Sequence, residues 1–206
     1  MSNPNPLCYS LTLLQPLSKK TQIKNTHSQP QKSLKVMSGT EQKGCHLKSI
    51  VLYSSRGGNT EKIAREIASE LNCRCEKISE NFDSTSIDLD DFDLVFIGTG
   101  NYSARPSAAM LDYLKEMNLN DSRYFALFMT WIGRGTTDKA VYEIVKAAVE
   151  DKGQKLLKDY FGCLGGTHSK MERGIARLIF PDARGHPNAE DLRNARKWAK
   201  ELVKSI

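Results

Sequence analysis

The residues Ser54-Ser55-Arg56-Gly57-Gly58-Asn59-Thr60 join an apolar run to a segment of helical periodicity. Two glycines let the chain turn tightly and bare its N–H groups, and a helix starting here adds the positive end of its dipole. Ser55, Asn59 and Thr60 add side-chain donors. A loop of this kind suits a phosphate. A nucleoside-triphosphate loop needs G-x-x-x-x-G-K-[ST], and the lysine is absent; a dinucleotide fingerprint needs a third glycine, also absent. What remains is a cradle for a terminal monophosphate. The plainer alternative is a Ser/Asn helix cap that holds no ligand.

Other reactive side chains carry less. Five cysteines are an odd count, which argues for free thiols, a reducing compartment and a cytoplasmic protein. Cys73 and Cys75 are spaced C-x-C without a second ligand cluster, so they are expected as packing thiols and no metal is assigned. His168 and His186 read as cap or packing residues. Asp83, Asp88, Asp90, Asp91 and Asp93 precede an apolar run and read as a solvated turn at the amino edge of a sheet.

The elements that must position the loop begin at residue 48. Ser49–Tyr53 is a continuous apolar run, and Phe92–Ile97 and Tyr124–Met129 read as two further buried strands, each followed by a glycine-containing turn, as buried parallel strands are. Cys73–Ile78 reads as an edge strand and Lys155–Cys163 as a fifth strand. Between them, helical spacing predicts helices over Thr60–Leu71, Pro106–Met117 and Asp138–Glu150, with proline in the first turn of the second. A last helix follows an Asn188 cap. Strands alternating with amphipathic helices require a parallel sheet covered on both faces, so the fold expected is α/β: a three-layer, doubly wound, five-stranded sheet. Ligands in such sheets bind beyond the carboxyl ends of the strands, which singles out loops 54–60, 98–107 and 130–136. Residues 164–186 fit no regular unit.

Tyr53–Glu61 resembles the phosphate loop of the flavodoxin and flavodoxin-like family, S/T-x-T-G-N-T. The likeness extends over about residues 48–204, through Gly98-Thr99-Gly100-Asn101-Tyr102 and the His186–Leu192 start of the last helix. It implies FMN as cofactor. On that resemblance Ser55, Gly57, Gly58, Asn59 and Thr60 hold its phosphate, with Ser54 and Arg56 in the same loop. Gly98, Thr99, Gly100 and Asn101 meet the flavin edge, the last three mainly through backbone groups. Tyr102 and Trp131 flank the ring, and Thr130, Ile132 and Gly133 complete the third loop. Two features depart from the family: glycine stands at 57 where a hydroxyl is usual, and Arg56, Arg105 and Arg134 place one arginine in each loop.

The expected function is an FMN-binding electron carrier between redox partners, since the three loops contain no His, Cys or carboxylate. The alternative is an FMN-dependent reductase or oxidase of a quinone or porphyrinogen-like substrate, drawing on a nicotinamide, with residues 164–186 as part of a substrate wall. An arginine-bearing rim implies a partner with an acidic docking face. The formal charge of +6 does not imply nucleic acid. Residues 1–46 carry six lysines and one acid, residues 47–151 carry 12 basic and 17 acidic residues, and residues 152–206 carry 12 and 6. No apolar run approaches the roughly 18 residues of a membrane span. Residues 1–45 are expected to be an extension outside the chemistry, with Met37 as an alternative start, and 46–206 to be the flavin-binding domain.

Overall fold

The computed structural model describes residues 47–132, 137–166 and 180–206. Helix α1 (Asn59–Leu71) joins strand β1 (Ser49–Tyr53) to β2 (Arg74–Lys77), and two single turns of 3₁₀ helix separate β2 from β3 (Leu94–Gly100). Helix α2 (Ala108–Glu116) joins β3 to β4 (Tyr124–Trp131), and helix α3 (Thr137–Glu150) follows β4. Two short strands, β5 (Lys155–Leu156) and β6 (Phe161–Leu164), and a helix α4 (Ala189–Ser205) follow. The sheet is parallel, in the order β2-β1-β3-β4-β5, and β6 also pairs with β4.

Alternation along each buried strand divides the core in two. Ile50, Leu52, Val95, Ile97, Phe125 and Leu127 face α2 and α3, meeting Met110, Leu114, Val141 and Val145. Val51, Leu94, Phe96, Ala126 and Phe128 face α1 and α4, meeting Ile63, Ile67, Ala195 and Ala199. Both faces of β1, β3 and β4 are apolar because helices cover both, and crossovers of a parallel sheet put them there. This is the doubly wound sandwich the sequence predicts.

Three local readings change. The fifth strand position is filled by two segments: four residues, 157–160, span what Ala126 and Leu127 span on β4, so the strand bulges away and returns. The bulge is clamped to α3, where Tyr160 Oη donates to Asp138 Oδ2 at 2.8 Å and its ring stacks on Tyr142. Helix α2 begins after Ser107, whose Oγ accepts from Met110 N at 3.2 Å, so Pro106 precedes the cap instead of sitting in the first turn. Edge strand β2 covers only Arg74–Lys77 and pairs with β1 alone. The acids before β3 do lie at the amino edge and are structural. Asp83 and Asp88 cap two single turns of 3₁₀ helix, and Asp93 accepts from Lys48 N. Asp90 accepts from Asn120 and pairs with Arg123.

Asn188 caps α4 as expected. Its Oδ1 accepts from Glu190 N and Asp191 N while Asp191 returns a bond to Asn188 N, a complete capping box. His186, the residue ahead of the cap's proline, pairs through Nδ1 with Asp191 Oδ2 at 2.5 Å. Cys73 and Cys75 pack at the edge of the α1/α4 core, and burial pushes both thiols up to about 11. Residues 1–46, which include the expected extension, lie outside the described residues. So do His168 and most of the irregular segment 164–186. No helix among the described residues is long and apolar enough to cross a membrane.

Candidate functional site

Strand β1 ends where the sheet's carboxyl edge begins, and the chain turns immediately. Ser54 N donates to Gly98 O at 2.9 Å, fixing the first residue of the loop to the neighbouring strand. Gly58 N donates to Ser55 Oγ at 2.9 Å, which closes the turn. Gly58 has φ 84°, a conformation glycine adopts at no steric cost, and it stands at the N-cap of α1. Because glycine has no side chain, no side chain caps this helix, whereas Ser107 and Asn188 cap α2 and α4. The first-turn N–H groups of α1 therefore face the carboxyl edge without a side-chain acceptor among the described residues. Glu61, the acid of that turn, does not oppose an anion there. A hydrogen bond from Arg65, at 2.7 Å, holds its carboxyl below the usual range, and Arg65 neutralises it.

The side chains predicted as phosphate donors are engaged inside the protein. Asn59 Nδ2 donates to Gly166 O at 2.6 Å, tying the loop to the segment that follows β6. Gly165 must be small there, since a Cβ would come within 2.6 Å of the same carboxamide. Thr60 is buried and shares a 2.9 Å hydrogen bond with Thr130 Oγ1, joining the start of α1 to the end of β4. Of the three, Ser55 accepts at its oxygen from Gly58 N, and its hydroxyl proton has no acceptor among the described residues. The cradle is thus chiefly main chain.

Gly98, Thr99 and Gly100 are the buried end of β3, in register with Phe128, Met129 and Thr130 of β4. Thr99 Oγ1 accepts from Ser107 N at 2.8 Å and donates to Gly100 O, so its side chain orients the second loop. Asn101 N donates to Thr130 O, and Asn101 Oδ1 accepts from Ala104 N at 3.0 Å. Tyr102 and Arg105 exchange backbone hydrogen bonds around Ser103 and Ala104, which have φ 53° and 65°. That is a type I′ turn without glycine or asparagine, held in the left-handed region by its surroundings.

Both predicted aromatics stand at this edge. The Tyr102 ring lies against the α-carbon of Gly100, where a Cβ would come within 2.6 Å of it. The Arg56 guanidinium sits 4.6 Å from that ring's centroid, and Arg56 N donates to Tyr102 Oη at 3.4 Å. Trp131 is half-buried with its ring over Gly162. Arg56, Tyr102, Arg105 and Pro106, with Ala108, Leu111 and Ile144, line a cavity of about 260 Å³. Ile132 follows Trp131, while Gly133 and Arg134 lie outside the described residues. Sequence reasoning missed the Asn59–Gly166 and Thr60–Thr130 bonds, which join residues 107 and 70 positions apart.

These residues fit FMN. A glycine-opened helix start suits a phosphate, and strand ends packed around glycine beside two aromatic rings suit a flat heterocycle. The flavodoxin domain profile matches residues 50–178. An uncharacterised protein of Methanocaldococcus jannaschii is 29% identical over 161 residues, 77% of this chain and all of that one. Flavodoxin 2 of Bacillus cereus superposes with a TM-score of 0.56 at 17% identity, over 77% of this chain and 99% of that chain. A WrbA-like flavodoxin of Agrobacterium tumefaciens does so with a TM-score of 0.54 at 14% identity, over 77% and 96%. The two superpositions speak for the fold. The profile, matching well over half the chain and including the phosphate loop, makes this protein a member of the flavodoxin family, with FMN as its cofactor.

Proposed function

We propose that this protein is an electron carrier, accepting and passing single electrons between redox partners through FMN held by loops 54–60, 98–107 and 130–136. FMN supplies the redox chemistry when bound; the chain binds, orients and shields it. The observation that carries the reading is the main-chain cradle at Gly58, where an uncapped helix start faces the same edge as Gly100, Tyr102 and Trp131. The three loops offer hydroxyls, amides, aromatic rings and guanidinium groups, and their sequence contains no carboxylate, imidazole or thiol to relay a substrate proton. Such a lining suits electron transfer to a partner at the sheet edge. Arg56 and Arg105 put positive charge beside Tyr102, which favours a partner with an acidic face.

A second reading, an FMN-dependent reductase of a small electron acceptor such as a quinone, draws on the 260 Å³ cavity between Tyr102 and Ile144. Anaerobic reductive titration followed in the visible spectrum separates the two. The carrier takes up electrons in two resolved one-electron stages and reacts slowly with free nicotinamide nucleotides. A single two-electron stage, with rapid turnover of a nicotinamide against a quinone, would replace the carrier by the reductase.

A further inference from the structure

The two residues that leave β6, Gly165 and Gly166, bond to three separate elements. Gly165 N donates to Trp131 O at 2.7 Å, at the end of β4. Gly166 N donates to His186 O at 2.9 Å, on the turn that leads into α4. Gly166 O in turn accepts from Asn59 Nδ2 at 2.6 Å, across 107 positions of sequence. His186 is itself fixed, through its Nδ1 pair with Asp191 Oδ2 and the Asn188 capping box. The carbonyl that receives Asn59 is therefore anchored on both sides, so the phosphate loop is set by it and not the reverse.

The loop needs such a hold. Gly57 and Gly58 stand side by side, and glycine loses more conformational freedom on folding than any other residue. Gly58, at the N-cap of α1, brings no side chain to fix the turn, and the Ser55 bond to Gly58 N lies within the loop itself. Asn59 is the first helical residue, and its carboxamide carries the long-range bond that ties the glycine turn to the rest of the fold. Gly165 makes room for that carboxamide: a Cβ there would lie 2.6 Å from Asn59 Nδ2 and 3.0 Å from its Cγ.

We infer that Gly165-Gly166 is a fourth part of the flavin site, a positioning element that holds Asn59, and with it the Gly57-Gly58 turn and the start of α1, in the form that receives the phosphate. The inference rests on the reading of loop 54–60 as the phosphate loop. A site binds in proportion to the fraction of molecules already in the competent form, so releasing the clamp lowers affinity without removing a contact to the ligand.

Gly165→Ala tests this. Gly165 lies outside the left-handed region, and the three atoms nearest to the added Cβ all belong to Asn59. The methyl group displaces the carboxamide from Gly166 O and leaves every residue of loop 54–60 unchanged. Amide hydrogen exchange of the flavin-free, full-length protein should speed up across residues 54–60. By fluorescence titration FMN should bind about three- to tenfold more weakly, the worth of one hydrogen bond, while riboflavin affinity stays the same. Asn59→Ala should weaken FMN as much, and the double variant no more than Asn59→Ala alone, because both substitutions break one bond. If Gly165→Ala fails to fold, Asn59→Ala decides by the exchange readout: faster loop exchange supports the clamp, and unchanged exchange overturns it. Unchanged exchange in Gly165→Ala, unchanged FMN affinity in that variant, a matching loss of riboflavin affinity, or additive losses in the double variant overturns the proposal. Equal affinity of the unaltered protein for FMN and riboflavin contradicts the phosphate-loop reading alone; loop exchange in the flavin-free variant then still decides the clamp in the same way.

Discussion

At the scale of single residues, glycines shape the site by what packs on them. A Cβ built at Gly98 lies 2.2 Å from Cζ of Phe128, which is fully buried and has no room to withdraw. Gly98→Ala should therefore destabilise the fold by about 1–3 kcal/mol, read as a lower urea midpoint with unchanged slope. An unaltered midpoint would mean the ring yields freely. The glycine was legible in the sequence as a strand-end turn residue; its physical reason, the ring of Phe128 from the next strand, was not. Asn59 and Thr60 show the same limit. Residue type and spacing placed both in the loop, but their partners Gly166 and Thr130 come from distant segments and leave no local trace.

At the scale of elements, caps and strand registers set the site's frame. Asn188→Ala removes the side chain that accepts from Glu190 N and Asp191 N, and should cost about 1 kcal/mol, measured by thermal unfolding. Burial also makes the fold sensitive to alkali. Cys163 and Tyr113 are pushed up to about 12, and Cys73 and Cys75 to about 11, in each case chiefly by burial. Their folded values lie above the unfolded ones, so the unfolded chain gives up these protons first. Their contribution is complete below about pH 9 and drains away as pH rises through 9–12. A urea midpoint that falls steadily over that window is expected, and a flat profile would contradict the burial of these groups. Continuous apolar runs made β1, β3 and β4 readable, because both faces are covered. The split of the last strand was not readable. Its Lys158-Asp159 interruption turns outward under the clamp of Tyr160 on Asp138, a contact between elements.

For the whole molecule, charge and cofactor decide what the fold does. Arg56 and Arg105 make the site edge positive, although residues 47–151 as a whole carry an acidic excess. Reaction of the reduced protein with an anionic oxidant such as ferricyanide should slow as salt screens this edge over a Debye length of about 8 Å at physiological ionic strength. The double substitution Arg56→Gln, Arg105→Gln should flatten that salt dependence, and a slope unchanged in the variant would remove the arginines from steering. The doubly wound parallel sheet, and with it the convergence of three loops on one edge, was expected from strands alternating with amphipathic helices; the strand order β2-β1-β3-β4-β5 was not. Nor was it legible which loop groups would be free to hold a ligand, since only the folded chain shows Asn59 and Thr60 already bonded and the start of α1 open. The central claim is that this open, glycine-capped start holds a phosphate. Comparing FMN with riboflavin, which lacks the phosphate, by flavin fluorescence titration tests it most directly. FMN should bind at least about tenfold more tightly, since charge-assisted bonds to several N–H groups are lost with the phosphate. Equal affinity for the two would contradict the assignment of loop 54–60.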